Sequence, residues 1–158
     1  MNKIGNYIHG KRAKGKSSEE LSVFNPSTGE ELSKVILSNS DDFKEVIESS
    51  KKGLKEWSNF TPLKRSRILS KYKELIEKNI NELAPIVSME HGKTLDDEKG
   101  SIQRGLEVVE FACGIPHLLK GEFSQNVGTD IDSWSIRSPL GICAGITPFN
   151  FPAMVPMW

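Results

Sequence analysis

Gly141-Ile142-Cys143-Ala144-Gly145-Ile146-Thr147-Pro148-Phe149-Asn150-Phe151-Pro152 is the stretch on which the reading of the fold turns. Its first half, Ile142 to Ile146, is a short unbroken apolar run, the pattern of a parallel strand buried on both faces. Its second half is a loop bounded by two prolines, with a single amide, Asn150, at its tip. In open α/β sheets ligands sit beyond the carboxyl ends of the strands, so this strand would deliver Asn150 to such a place. A side-chain NH2 there can donate to an oxygen that becomes negative during reaction, without a charge of its own. Asparagine is equally at home satisfying backbone groups in a tight turn. The residues alone leave both roles open.

Working outward, the preceding segments read as strands first and helices second. Tyr7-Ile8-His9 and Leu21-Ser22-Val23-Phe24 are short strand patterns, and Asn25-Pro26-Ser27-Thr28-Gly29 is a turn before Glu31 to Leu37. Ser40, ahead of Asp41 and Asp42, reads as a helix N-cap with acids in the first turn. Thr61-Pro62 predicts a second start. Ile68, Leu69, Tyr72, Leu75 and Ile76 recur at three- and four-residue spacing, the amphipathic signature. Asn81 predicts a separate, shorter helix ending near His91-Gly92. Thr94 predicts the cap of a longer one whose apolar portion is Val108, Val109, Phe111 and Ala112, stopped by Pro116. Trp134 to Arg137 alternates with period two and predicts a strand. Strands, then helices, then a buried strand make an α/β chain whose main sheet begins at residue 141.

Composition excludes several classes of function. Lys+Arg and Asp+Glu each total 21, so the formal net charge is zero, and a nucleic-acid or membrane-surface partner would favour a basic excess. No apolar run approaches the roughly 20 residues of a membrane helix. Met1 to Lys16 lacks the apolar core of a secretory signal. Cys113 and Cys143 make no disulfide framework, which points to a reducing, cytoplasmic setting. Both cysteines sit in apolar patterns and read as core. His9, His91 and His117 have no metal-ligand spacing, so no metal is expected. Lys93, after Gly92, reads as a cation at a helix carboxyl end. The apolar stretch Phe149 to Trp158 stops without a cap or polar tail. It reads as a core helix interrupted as it begins, or as a short terminal helix packed on the domain.

Thr147-Pro148-Phe149-Asn150-Phe151-Pro152 resembles a motif of the aldehyde dehydrogenase superfamily: Pro, aromatic, Asn, Phe, Pro. Phe149 in place of the usual Trp, followed by Phe-Pro-Ala-Met-Val-Pro, resembles the CoA-acylating methylmalonate-semialdehyde branch. Gln103-Arg104-Gly105-Leu106-Glu107-Val108-Val109-Glu110-Phe111-Ala112 is similar to a helix of that branch. Asn25 to Glu30, Trp57, Arg65 with Ile68-Leu69, and Glu90-His91-Gly92-Lys93-Thr94 resemble further superfamily segments. The likeness runs from about residue 5 to 158.

The resemblance implies the amino-terminal part of an aldehyde dehydrogenase fold. Residues 1–118 would be strands and helices of the NAD-binding domain. Residues 119–138 would be oligomerisation strands, and 139–158 the first strand and loop of a Rossmann-like sheet. It implies NAD as cofactor, coenzyme A as co-substrate, and oxidative decarboxylation of methylmalonate or malonate semialdehyde to propionyl-CoA or acetyl-CoA by an intact homotetramer. Asn150 would be the oxyanion donor of the thiohemiacetal. Arg104 would bind the substrate carboxylate, its flanking residues Gln103 and Gly105 leaving room for the substrate. Ile146, Thr147 and Phe149 would line the nicotinamide side. The nucleophilic cysteine and the contacts to the adenosine half of NAD would lie beyond residue 158, so these residues alone would be inactive. A hydrolytic NAD(P)-dependent aldehyde dehydrogenase and a truncated, non-catalytic interaction module are the alternatives.

Overall fold

Asn25 turns the chain through nearly 180°. Its N–H donates to the Glu30 carbonyl and its own carbonyl accepts from Gly29, both at 2.8 Å, while its side chain accepts from the Ser27 N–H. Gly29 closes the turn at φ 77, a backbone state that a side chain disfavours. The turn pairs β4 (Glu20–Phe24) with β5 (Glu31–Ile36) antiparallel. In this computed structural model, which describes residues 2–158, β1 (Asn2–Ile4) adds in parallel to β5, giving the order β1-β5-β4. The sequence does not announce β1, because a polar edge strand carries no hydrophobic pattern. β2 (Asn6–Ile8) and β3 (Lys11–Ala13) form a separate hairpin. His9, expected in the strand, instead occupies its turn at φ 52, beside Gly10 at φ 72.

Helix α1 (Ser40–Ser58) is capped by Asn39, one residue earlier than expected. The Asn39 side chain accepts from the Asp41 and Asp42 N–H groups, and the Asp42 carboxylate accepts in return from the Asn39 N–H at 3.0 Å. Only Asn39 lies three residues before Asp42, so only it can close this reciprocal box. Asp42 also accepts from the Lys16 N–H at 3.1 and 3.2 Å, and is 2% exposed. This one carboxylate therefore fastens the amino-terminal strands to the first helix.

Helix α2 (Pro62–His91) begins at Thr61, whose hydroxyl accepts from the Lys64 N–H, and ends at Gly92. The break expected at Asn81 is absent, and the helix continues through Pro85. The proline ring removes the donor that the Asn81 carbonyl would otherwise use. Packing outweighs that loss. Ala84 is wholly buried against Ile102 and Leu106 of α3 (Leu95–Cys113), with Ile76, Ile80 and Leu83 packed around them. Opening the helix at Asn81 would swing Ala84 out of this contact. On α3 the buried large apolar side chains are Ile102, Leu106 and Val109, one stripe at four- and three-residue spacing, whereas Phe111, expected in the apolar face, is 68% exposed. Gly114 ends α3, and Pro116 sits in the first turn of the short α4 (Ile115–Leu118) rather than stopping its predecessor. Across the two long helices, Glu110 and then Glu77 hold the Lys73 ammonium above its ordinary pKa through side-chain hydrogen bonds.

The chain then leaves the helices as an antiparallel hairpin, β6 (Phe123–Gly128) and β7 (Ile131–Trp134). Trp134 closes the strand expected at 134–137, and Ser135 to Arg137 lie outside it. Residues 141–146 form no strand, against expectation. Ile142 is 40% exposed, Ile146 is fully exposed, and Cys143 is exposed rather than buried. A strand must pair its backbone N–H and C=O groups with a neighbour, and among the described residues none runs beside this segment. Beyond it, Met154 is buried and a 3-10 turn at Val155–Met157 packs on α3. Among the described residues no helix is long and apolar enough to cross a membrane.

Replacing Asp42 with Ala strands the N–H groups of Asn39 and Lys16 in a half-buried setting. The expected cost is about 1–3 kcal/mol of unfolding free energy, measured by urea denaturation. A change below about 0.5 kcal/mol, typical of ordinary surface substitutions, would mean that water takes over these donors.

Candidate active site

The junction between α2 and α3 organises the candidate site. Gly92 turns the chain at φ 88, and its N–H donates to the Ser88 carbonyl at 2.7 Å. A Cβ at Gly92 would lie 2.8 Å from Pro26 Cγ, so the junction packs directly on the Asn25–Gly29 turn. The Ser88 hydroxyl donates to the Lys93 carbonyl at 2.6 Å. Thr94 caps α3 by accepting from the Asp97 N–H. On the inner side, His91 Nδ1 lies 2.9 Å from Glu98 Oε1, and Glu98 is fully buried with its second oxygen unpartnered. Lys93 is thus held on its backbone from both helices while its side chain stays free to reach outward.

That side chain reaches the loop after residue 146. Lys93 Nζ donates to the Asn150 main-chain carbonyl at 2.8 Å and lies 3.9 Å from the centroid of the Phe151 ring. Arg104, on an exposed position of α3, brings its Cζ to 5.7 Å from the same centroid and donates to Ser101 Oγ at 3.4 Å. Phe151 therefore gathers two cations, the usual attraction of a ring face for positive charge. Asn150 is exposed, and among the described residues its carboxamide has no protein partner. Only its carbonyl is tied down. Thr147 is exposed, Phe149 is 88% exposed, and Ile146 projects fully into solvent.

The structure thus places Arg104 and Asn150 around one aromatic ring, with Ile146, Thr147 and Phe149 on the loop that carries Asn150. Lys93 and Phe151 complete this cluster. Lys93 reads in the sequence as a cation at the end of α2, but its ammonium goes to Asn150 across 57 positions of sequence. Phe151 was legible only as part of a motif. The expectation that Gly105 leaves room for a substrate beside Arg104 is corrected. A Cβ on Gly105 would overlap the Met157 methyl and sit 3.2 Å from its sulfur and 3.3 Å from Met154 Cα. Gly105 admits the 154–157 segment against α3, not a ligand. Cys113 is half-buried with its sulfur 3.5 Å from Ser70 Oγ, and the Cys143 sulfur lies 3.9 Å from the Gly141 carbonyl. Among the described residues no cluster of three His, Cys, Asp or Glu could hold a metal.

Flat apolar surface beside polar groups suits a nicotinamide ring, and the exposed Ile146 and Phe149 offer it next to Asn150.

Residues 13–158 match the aldehyde dehydrogenase family. The chain is 49% identical over 136 residues to the malonate-semialdehyde dehydrogenase of Pseudomonas aeruginosa, an alignment covering 86% of this chain and 27% of that protein. It is 46% identical over 156 residues to the acylating, mitochondrial methylmalonate-semialdehyde dehydrogenase of Arabidopsis thaliana, covering 99% and 26%. Among solved structures, a Sinorhizobium meliloti protein described as a methylmalonate-semialdehyde dehydrogenase and complexed with NAD superposes with a TM-score of 0.96 at 50% identity. It covers all of this chain and 32% of the other. The chain therefore spans only about a quarter to a third of the length of the relatives it matches.

The Gly105 contact is open to direct measurement. Gly105→Val would force Met154 and Met157 away from α3, and overpacking of this kind costs about 1–3 kcal/mol. Urea denaturation should show that loss, and hydrogen exchange should quicken in residues 152–157. Unchanged exchange there would mean that the segment does not depend on α3.

Proposed function

The chain belongs to the aldehyde dehydrogenase family, and from that premise we propose that it carries part of the active site of a semialdehyde dehydrogenase of the relatives' full length. Its overall reaction converts methylmalonate or malonate semialdehyde, NAD and coenzyme A to propionyl-CoA or acetyl-CoA, carbon dioxide and NADH. The observation that carries this reading is the state of Asn150. Its carbonyl is anchored by Lys93 at 2.8 Å while its carboxamide is left unpaired and exposed. A residue needed only to close a turn would spend its amide on the turn.

In this reading the Asn150 NH2 donates to the aldehyde oxygen as a thiolate adds to the carbonyl carbon and charge develops on that oxygen. A donor already in place reorganises little when the charge appears, which is the source of its effect. Arg104 receives the substrate carboxylate. Its planar guanidinium can present two parallel N–H groups to a carboxylate, and its place against Phe151 sets it on the same side as the Asn150 loop. Ile146 and Phe149 would cover one face of the nicotinamide, with Thr147 beside them. When bound, NAD accepts the hydride released from the aldehyde carbon. Neither Cys113 nor Cys143 is the nucleophile in this reading. Residues 1–118 belong with the NAD-binding domain, and 142–146 take up strand geometry once neighbouring strands supply its missing backbone partners. The exposed β6–β7 hairpin, within 119–138, would pair between subunits of a homotetramer. Cytoplasmic placement belongs to the same proposal and suits two free thiols.

Three measurements on an enzyme carrying these residues test the reading. NADH formation from malonate semialdehyde should require coenzyme A; equal production of free acid without it would make the enzyme hydrolytic. Arg104→Leu should slow oxidation of the charged semialdehyde about tenfold or more, the worth of one charged hydrogen bond, and should spare propanal. Equal losses on both would reduce Arg104 to a structural role. Asn150→Ala should lower the pre-steady-state rate of NADH formation by roughly 10²–10³ while leaving NAD affinity nearly intact. A normal rate per folded enzyme would end the oxyanion assignment.

A further inference from the structure

We propose that Lys93 is a positioning residue that aims the Asn150 carboxamide. The inference rests on Asn150 being the oxyanion donor. The Asn150–Phe151 peptide is planar, so holding its carbonyl and the ring that follows holds that plane and narrows the directions in which the Asn150 side chain can leave the backbone. Lys93 does both with one ammonium group, by the 2.8 Å hydrogen bond to the Asn150 carbonyl and by its place 3.9 Å from the Phe151 centroid. The hydrogen bond is charge-assisted by its ammonium donor, and Lys93 itself is half-buried.

The base from which Lys93 reaches is itself rigid. Its carbonyl is held by the Ser88 hydroxyl at 2.6 Å, Gly92 before it packs on Pro26, and Thr94 after it caps α3. The pair of half-buried His91 and buried Glu98 spans the same turn from the inside at 2.9 Å. The loop has little to hold it otherwise. Residues 141–150 are exposed throughout, and among the described residues the segment from 141 to 151 makes only two side-chain hydrogen bonds, the Lys93 contact and the internal Cys143 one. Within this chain Lys93 is the side chain that anchors the loop at Asn150. Lys93 touches neither the aldehyde nor NAD in this scheme, and acts only through Asn150.

The test is a double-mutant cycle in the enzyme carrying these residues, reading the pre-steady-state rate of NADH formation, NAD affinity and melting temperature. Lys93→Met should slow NADH formation about tenfold, the scale of a charge-assisted hydrogen bond, with NAD affinity unchanged. Combined with Asn150→Ala it should be slower than Asn150→Ala alone by no more than about twofold, the margin within which independent sites add. Hydrogen exchange at residues 149–151 should quicken in Lys93→Met while α3 is unaffected. If Lys93→Met lowers the melting temperature sharply, Lys93→Gln, which keeps an N–H at similar reach, is read by the same criteria. Wild-type rates in the Lys93 variants beside a slow Asn150→Ala would overturn the positioning role alone, as would losses that multiply fully in the double variant. A normal Asn150→Ala rate would instead remove the oxyanion reading beneath it.

Discussion

The close approach of α2 to α3 is the constraint on which the rest depends. It is made possible by the small Ala84 on α2, wholly buried against α3, and is sealed by Ile102 and Leu106, which are essentially free of solvent. Full burial of such side chains contributes about 1.5–3 kcal/mol each. That is comparable with the roughly 3 kcal/mol a proline costs inside a helix, so α2 can continue through Pro85. Because the two helices are fixed, the turn between them is fixed, and the Gly92–Lys93–Thr94 junction becomes a rigid platform.

The platform and the Asn150 loop meet through charge rather than through apolar burial. Lys93 and Arg104 converge on Phe151, in a chain whose formal net charge is zero. Local concentration of cations, not overall charge, makes this corner positive. Glu98 is the counterweight on the inner side, kept buried next to His91 and away from the exposed face. The division leaves positive charge facing solvent where Asn150 stands and confines the acid to the helix junction.

Much of the fold was readable locally. Turn chemistry at Asn25–Gly29, the Thr61-Pro62 start, the Gly92 stop and the Thr94 cap are all determined within four or five residues, and each stands where the sequence puts it. The misses share one cause, competition from outside the local window. Asn39 outcompetes Ser40 because Asp42 reaches back to it. Asn81 fails to break α2 because Ala84 is held by α3. Ile142 to Ile146 has the composition of a buried strand yet stays open, because no partner strand lies beside it.

For the site, the sequence alone determined which residues have the right chemistry: an asparagine amide in a proline-bounded loop, an arginine on a helix, and apolar groups beside them. Those are covalent properties, independent of how the chain folds. Tertiary structure alone decided that Lys93 belongs with Asn150, that Phe151 lies between Lys93 and Arg104, and that Gly105 makes room for Met157 rather than for a ligand. Each of these is a meeting of groups dozens of residues apart. The hydrogen bond, the cation over the ring and the steric overlap all act over a few ångströms, and only the packing of α2 on α3 brings those groups within that range.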